Sequence, residues 1–277
     1  MSEQRNDLYD SRQRGSRFNR GNVGIIIFIA LIIFLLVRSG FFTAEYWTSA
    51  GEKFFVNFVK DRHYMMIVKG LWATLKMTII ASLLGVAIGL VLSLIRVAYR
   101  GGAKIGILNF LANLYITVIR GTPVMVQILI WYFTIFGNVR NVDKLLVAAI
   151  AFGVNSGAYV AEIFRSGIES LDPGQMEAGR SLGLSYGKTM VKIVLPQAFK
   201  NTLPTLFNEL IMLLKETSVA GYIGIDDLTR SGQNIQAITF DNTQPLLMVA
   251  LVYLVMVLLL TWLMNKLEKR LRRSDRN

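Results

Sequence analysis

The sequence predicts an all-α, polytopic membrane helical bundle, on three observations. Mean hydropathy is +0.46, with 53% hydrophobic and 17% charged residues, proportions that a water-soluble chain of 277 residues rarely shows. Apolar runs long enough to form helices recur along the chain, divided by short polar stretches. Two of those runs carry small residues at every fourth position, on one helix face, where two helices can approach closely. A net charge of +12 in such a chain reflects basic loops on one side of a membrane rather than nucleic-acid binding. With no Cys and a single His, thiolate metal sites, disulfides and a cysteine nucleophile are excluded. His63 stands just before an apolar run and reads as an interfacial side chain.

Residues 1–22 are a basic tail with Arg5, Arg12, Arg14, Arg17 and Arg20. Nothing in them builds a core, so they are expected to be disordered. Val23 to Val37 is a first apolar helix, short for a span but able to reach the far interface with Phe41 and Phe42. No small-residue cleavage site follows, so it reads as an uncleaved helix rather than a signal peptide. Residues 43–63 set Trp47, Phe54, Phe55 and Phe58 among charges, as an amphipathic stretch on the outer surface does. The second span covers about Met66 to Ile95 and carries the ladder Ala81, Gly85, Gly89 and Ser93. Arg96, Arg100 and Lys104 then mark the inner surface. Ile105 to Ile119 forms a helix that breaks at Gly121, and Thr122-Pro123 restarts it through Phe136. Leu145 to Arg165 is the next span, with the ladder Ala149, Gly153, Gly157 and Ala161; two ladders favour a compact bundle over tethered anchors. Pro204 opens a helix through about Tyr222, a polar loop runs to Gln244, and Pro245 opens the last span to Met264. On this reading all five prolines sit at or next to helix starts.

The six-span reading also fixes an orientation. Of 30 Lys and Arg, the segments assigned inside (1–22, 96–104, 165–204 and 266–277) carry 19, against 7 in those assigned outside. Both termini are therefore expected in the cytoplasm. So is the polar stretch Gln175 to Phe199, which folds as a knuckle. Asp172 caps a short helix that Pro173 opens, with Gln175 three residues after the cap. The helix stops near Leu182 at Gly183. Ser185 caps a second helix, which Leu195-Pro196 interrupts. The run GLSYGKT, Gly183 to Thr189, is not a phosphate loop, because only three residues separate its glycines and no strand precedes it.

The spacing Glu177, Ala178, Gly179, then Gly183, Ile193 and Leu195-Pro196 resembles the cytoplasmic loop of membrane subunits of ABC importers. The one departure is Gly179 where that motif has its second alanine, a change that leaves more room for a close partner. IRGTPVMVQ (119–127), AYVAEIFRSGIESLDPGQMEAGRSLG and LLKETSV look like the polar amino acid branch of those importers, so the resemblance covers about Gly70 to Lys266. It implies a type I ABC importer transmembrane domain over 64–266, with a coupling loop at about 172–200. Residues 1–22 and 267–277 are basic cytoplasmic tails outside it, and 23–63 add a helix and an external segment to the usual five spans. It implies further that Glu177, Ala178, Gly179, Arg180, Ser181, Leu182, Gly183 and Leu184 couple to a separate ATPase subunit. An extracytoplasmic binding protein would deliver the polar amino acid, and a second permease copy or homologue would complete the pathway in a bacterial inner membrane. The chain itself would be no enzyme and bind no cofactor, ATP and Mg being used by the partner ATPase.

Candidates for the pathway are polar residues inside apolar segments, costly there unless they face protein or water. Asn208, Glu209, Lys215 and Glu216 form one stripe on a helix. It reads either as pathway-lining or subunit-facing, or as a structural charge pair. Arg120 is either an inner-interface anchor or a fixed charge orienting two pathway helices. Glu162 and Arg165 are open between substrate contact and structure. The readings from other classes are an ion-coupled secondary transporter or channel, which needs its own ion site and no knuckle, and a purely structural or signalling membrane anchor.

Overall fold

A computed structural model describes residues 29–35, 37–39 and 43–274 of the chain. The expected tail 1–22 and the start of the first expected span lie outside the described residues. The chain divides into two compact units, Met1–Val56 and Asn57–Asn277. In the first, residues 29–35 and 37–38 are helical. Helix α1 (Ala44–Phe54) follows, with Glu45 in its first turn and Lys53 in its last, each charge opposite the matching pole of the helix dipole.

The second unit is built on α2 (Tyr64–Arg100), 37 residues long and so about 55 Å. It starts and ends beyond the expected span because nothing within it breaks a helix; Gly101 and Gly102 (φ +91°) close it. Helices α3 (Gly106–Arg120) and α4 (Val124–Leu129) meet at a bend of 104°. The break falls where Gly121 and Pro123 predict it, with Pro123 extended at ψ 135°. Beyond α4 the backbone widens into a π-helix, Ile130–Ile135, where a single α-helix through Phe136 is expected.

Helix α5 (Lys144–Glu169) is capped by Asp143, whose side chain accepts from Leu145 N at 2.9 Å. It is the centre of the unit, and its two faces explain its small residues. A Cβ at Gly85 of α2 would lie 2.9 Å from Ser156 Cβ, and one at Gly89 would overlap Val160 and stand 2.9 Å from Ala161 N. From the other side, Gly153 receives Leu84 and Gly157 receives Ile88, at 2.8 and 2.7 Å. The two ladders of the sequence thus face each other, each supplying the grooves for the other's ridges.

The knuckle consists of α6 (Gly174–Ser181) and α7 (Tyr186–Thr189). From α7 the chain passes through one π turn, Met190–Val194, directly into α8 (Leu195–Glu216). The expected interruption at Leu195-Pro196 is therefore a widening and not a break. Leu195 N bonds back to Met190 O, five residues away, and that wider turn admits the proline ring without ending the helix. Pro204 does not open a helix either but lies inside α8. Just before it, Thr202 and Ala198 are pressed against Gly167 of α5, with Ala198 O 3.4 Å from where a Cβ would sit, so packing outweighs the lost backbone bond.

A 3-10 turn, Thr217–Ile223, ends α8 at Gly224 (φ +77°). The polar loop expected to follow is instead largely helix α9 (Leu228–Thr239). Asp227 caps it, accepting from Thr229 N and Arg230 N at 3.1 Å each, and Leu228, Ser231, Gly232 and Ile235 bury one face. The last helix, α10 (Gln244–Ser274), runs past Met264 through most of the expected tail, which is rich in Lys, Leu, Glu and Arg and so favours helix.

Among the described residues, three helices are long and apolar enough to cross a membrane, namely α2, α5 and the Gln244–Arg270 part of α10; the bent pair Gly106–Arg120 and Val124–Ile135 makes a fourth if taken as one broken span. The expected span from Pro204 to Tyr222 is not among them, because α8 carries the polar stripe.

Candidate functional site

The knuckle is held by short-range bonds that its sequence writes in. Asp172 Oδ1 accepts from Gly174 N at 2.8 Å, which starts α6 one residue later than expected. At its end, Leu184 N bonds Gly179 O at 3.2 Å and Gly183 N bonds Arg180 O at 2.9 Å. This is the paired arrangement that needs a left-handed residue, and Gly183 has φ +79°. Ser185 caps α7 through Lys188 N. Gln175 does not reach back to the cap; its Oε1 accepts from Gln197 Nε2 at 3.1 Å and ties the first arm to the second.

Gly179 corrects the sequence reading. It is buried, and a Cβ there would overlap Thr189 and lie 3.0 Å from Ile193 Cδ1. The missing methyl makes room for the second arm of the knuckle itself and not for an outside partner. Opposite this closed face, Glu177, Ala178, Arg180, Ser181 and Gly183 are exposed, Leu184 is half-buried and Leu182 is 80% exposed. The knuckle therefore presents a rigid crest with a bare leucine at its tip. Tyr186, at the start of α7, packs against the residue that closes α2, where a Cβ at Gly101 would overlap its ring.

Near the same end of α5, Glu162 joins three helices. It pairs with Arg96 of α2, with Arg165 at 2.9 Å and with Arg120 of α3 at 3.8 Å. Glu169 pairs with Arg100 and Arg165. The Arg120 guanidinium also stands 5.3 Å from the centre of the Tyr159 ring. Three arginines converge on the Glu162 carboxylate, so the geometry favours the structural reading of Glu162 and Arg165 over direct contact with a transported molecule. For Arg120 the network gives a fixed position beside the α3–α4 bend. There Gln127 supplies what the break leaves open: its Nε2 donates to Ile119 O at 2.8 Å and Thr122 O at 3.1 Å, while its Oε1 accepts from Asn155 at 3.0 Å. Sequence reasoning missed Gln127 and Asn155. The signal available was an amide four residues after a helix-breaking proline.

The polar stripe of α8 divides into two. Asn208 and Lys215 are exposed, whereas Glu209 and Glu216 are half-buried. Glu209 Oε1 accepts from Ser156 Oγ at 2.7 Å. It lines a cavity of about 250 Å³ between α2, α5 and α8, whose other walls are mainly Val, Leu and Phe. The candidate residues thus form three places, the crest, the arginine network and the Glu209 cavity, and not one site. Among the described residues, no group of three His, Cys, Asp or Glu is placed to hold a metal.

Similarity to known proteins identifies the family of the chain. The family model for the binding-protein-dependent transport system inner membrane component matches residues 85–273. The arginine transport system permease protein ArtQ of Bacillus subtilis is 38% identical over 211 residues, 76% of this chain and 94% of that protein. The glutamine transport system permease protein GlnP of Escherichia coli K12 is 40% identical over 202 residues, 71% and 90% of the two chains. Among solved structures, an amino acid ABC transporter crystallised with histidines superposes with a TM-score of 0.69 at 39% identity, covering 76% of this chain and 97% of its own. The inward-facing MetNI methionine transporter gives 0.66 at 21% identity over 75% and 96%, a likeness of fold. The chain is a member of the binding-protein-dependent transport system inner membrane component family, a membrane permease rather than an enzyme.

Proposed function

We propose that the chain is the permease subunit of an ATP-driven importer of polar amino acids in a bacterial inner membrane, and that its knuckle takes up the mechanical work of a separate ATPase. The observation that carries this is the knuckle's build. A crest with an 80% exposed Leu182 stands on two arms locked through Gly179, Thr189 and the Gln175–Gln197 bond. One arm continues through a single π turn into α8, and the other joins α5 through a four-residue turn, Ser170 to Pro173. A push on the crest from the cytoplasmic side therefore moves the two helices that flank the Glu209 cavity. ATP and Mg act in the ATPase, an external binding protein delivers the cargo, and a second copy or homologue completes the pathway.

Leu182→Asp tests the docking role without disturbing the fold, since the side chain touches little. The variant is expected to insert normally and to lose co-purification with the ATPase and ATP-dependent uptake into vesicles. Normal assembly of that variant overturns the docking role. Uptake driven by an ion gradient with no ATPase present would decide for a secondary transporter.

A further inference from the structure

Two hollows meet at the C-terminal ends of α2 and α5, and they differ in chemistry. The first is an apolar groove of about 340 Å³ bounded by those ends and by the π turn that leads from the knuckle into α8. Leu90, Leu94, Phe164, Val191 and Leu195 are among its walls. Leu94, Val191 and Phe199 remain 49%, 63% and 50% exposed, so the groove opens outward and not into the core. Phe199, its ring stacked on Phe164 with centres 6.4 Å apart, is the one residue this groove shares with the Glu209 cavity.

The second hollow is a notch walled by Arg96 and Arg100 of α2 and Arg165 of α5. Ser93 and Ile168 line both hollows, which makes them continuous. Along α2 the arginines follow Leu90 and Leu94 by about 9 Å. A helix of about 55 Å exceeds the roughly 40 to 45 Å of a bilayer with its headgroups, so its arginine end reaches headgroup level and Leu90 and Leu94 lie toward the hydrocarbon.

Charge decides what fits across the two. Arg96, Arg100 and Arg165 are held by Glu162 and Glu169, and Arg120 stands 3.8 Å from Glu162. Four guanidiniums thus share two carboxylates, and the excess is positive. Each guanidinium has about five N–H donors, of which these ion pairs engage one or two. A glycerophospholipid offers the matching pair, a phosphate for the arginines and an acyl chain for the groove, in the order in which a bilayer stacks them.

We propose that notch and groove form one site for an anionic glycerophospholipid, its phosphate on Arg100 and Arg165 and one acyl chain along Leu94, Val191 and Leu195. Val191 belongs to the π turn and Leu195 to the first residue of α8. A lipid seated there braces the joint through which the knuckle and α8 move together.

The full-length chain is stripped of lipid in detergent, and retention of phosphatidylglycerol and phosphatidylcholine with identical acyl chains is measured by native mass spectrometry, alone and after assembly with the ATPase. Phosphatidylglycerol is expected to be held at least about tenfold more tightly, as excess positive charge at a membrane surface provides. Arg100→Gln alters a side chain that is 54% exposed and is expected to cut this preference at least about threefold. Lys104→Gln, an exposed position outside the site, is expected to leave the preference as in the wild type. The double variant Leu94→Asn, Val191→Asn is expected to weaken both lipids alike, by about tenfold, with the preference kept. Free glycerol phosphate, a headgroup without a chain, is expected not to displace phosphatidylglycerol at equal concentration. Equal retention of the two lipids, a preference undiminished in Arg100→Gln or lost as much in Lys104→Gln, retention unchanged in the double variant, or displacement by glycerol phosphate overturns the site. So does loss of the lipid on assembly, which would mean that protein covers the groove. None of these outcomes bears on the permease reading, since neither cargo nor ATP enters the measurement.

Discussion

Helices α5 and α10 are both long, apolar and of membrane class, yet 67% of the apolar stretch of α5 is buried within the chain and only 6% of that of α10. The less hydrophobic of the two is the one inside. In a water-soluble protein the ranking would run the other way, because burial there follows apolar surface. In lipid the tails are as apolar as leucine, so hydrophobicity does not sort helices, and close packing together with satisfied polar groups does. Helix α5 accordingly carries Ala149, Gly153, Gly157 and Ala161, with Asn155, Ser156 and Glu162 held by partners in other elements. Along most of its length α10 presents Leu247, Leu251, Leu258 and Trp262, all more than half exposed.

The largest break in this contrast is expected from filling the seam that makes α5 central. A side chain at Gly89 would collide with Val160 and with the backbone of Ala161, and backbone cannot rotate aside as a flexible side chain can. Gly89→Leu is therefore expected to destabilise by about 3 kcal/mol or more, read as a drop in the detergent melting temperature or as loss of the inserted, protease-resistant form. Next in size is Glu162→Gln, which keeps the shape and removes the charge that Arg96 and Arg165 are held by. With Arg96 and Glu162 side chains only 16% and 19% exposed, the loss is expected to be about 2 to 3 kcal/mol. A melting temperature unchanged from the wild type would show that the arginines find water or lipid phosphate instead.

A smaller effect of opposite sign is expected where α10 does become buried. Near its N-terminal end Val249 meets α9, its Cγ2 lying 2.5 Å from where a Cβ on Gly232 would sit. Helix α9 is in turn fixed by Asp227, whose carboxyl is fully buried. Burial pushes its pKa from 3.8 up to about 6, against the lowering effect of the backbone N–H groups it caps. A raised acid pKa means the folded chain holds the proton more tightly than the unfolded one. Stability therefore falls as pH rises from about 4 through about 6 and is flat above that. Asp227→Asn keeps the cap, since Asn and Asp cap equally well, and removes the charge. The variant is expected to lose this pH dependence and to gain about 2 kcal/mol at pH 7. Chemical unfolding in detergent at pH 5 and 7 reads both, and an Asn variant less stable than the wild type at pH 7 would overturn the assignment.

Much of this was legible in the sequence, and the reasons differ by element. The ladders on α2 and α5, the break at Gly121 and Pro123, and the Gly183 stop of α6 are local rules, each decided by residue size or backbone freedom at a named position. What failed depended on partners distant in the chain. Pro204 reads as a helix start until Gly167 of α5 is found pressed against Thr202. The stretch from Asp227 to Thr239 reads as loop because its polar residues are frequent. Its period, Leu228, Ser231, Gly232 and Ile235, becomes meaningful only once Gly70 is seen to leave room for it, with Asp227 O 2.6 Å from where a Cβ would be. Gly179 misled in a third way. A missing methyl tells that something comes close but not what, and the neighbour proved to be Thr189.

The smallest expected effect is the one that would sharpen the contrast most. Leu258 is 58% exposed on the face that α10 turns away from the rest of the unit. Truncating a buried leucine in a soluble core costs about 2 to 5 kcal/mol, as transfer plus cavity. Here the removed atoms leave lipid and not protein, the tails close over the site, and no cavity remains. Leu258→Ala is thus expected to change monomer stability by less than about 0.5 kcal/mol. A second permease copy seated on this face would give a different signature. The melting temperature of the isolated chain would stay put, while cross-linking between copies in the assembled complex would fall. A large loss in the isolated chain would mean that burial within the chain, and not lipid, surrounds Leu258, and the distinction drawn between α5 and α10 would then fail at its simpler end.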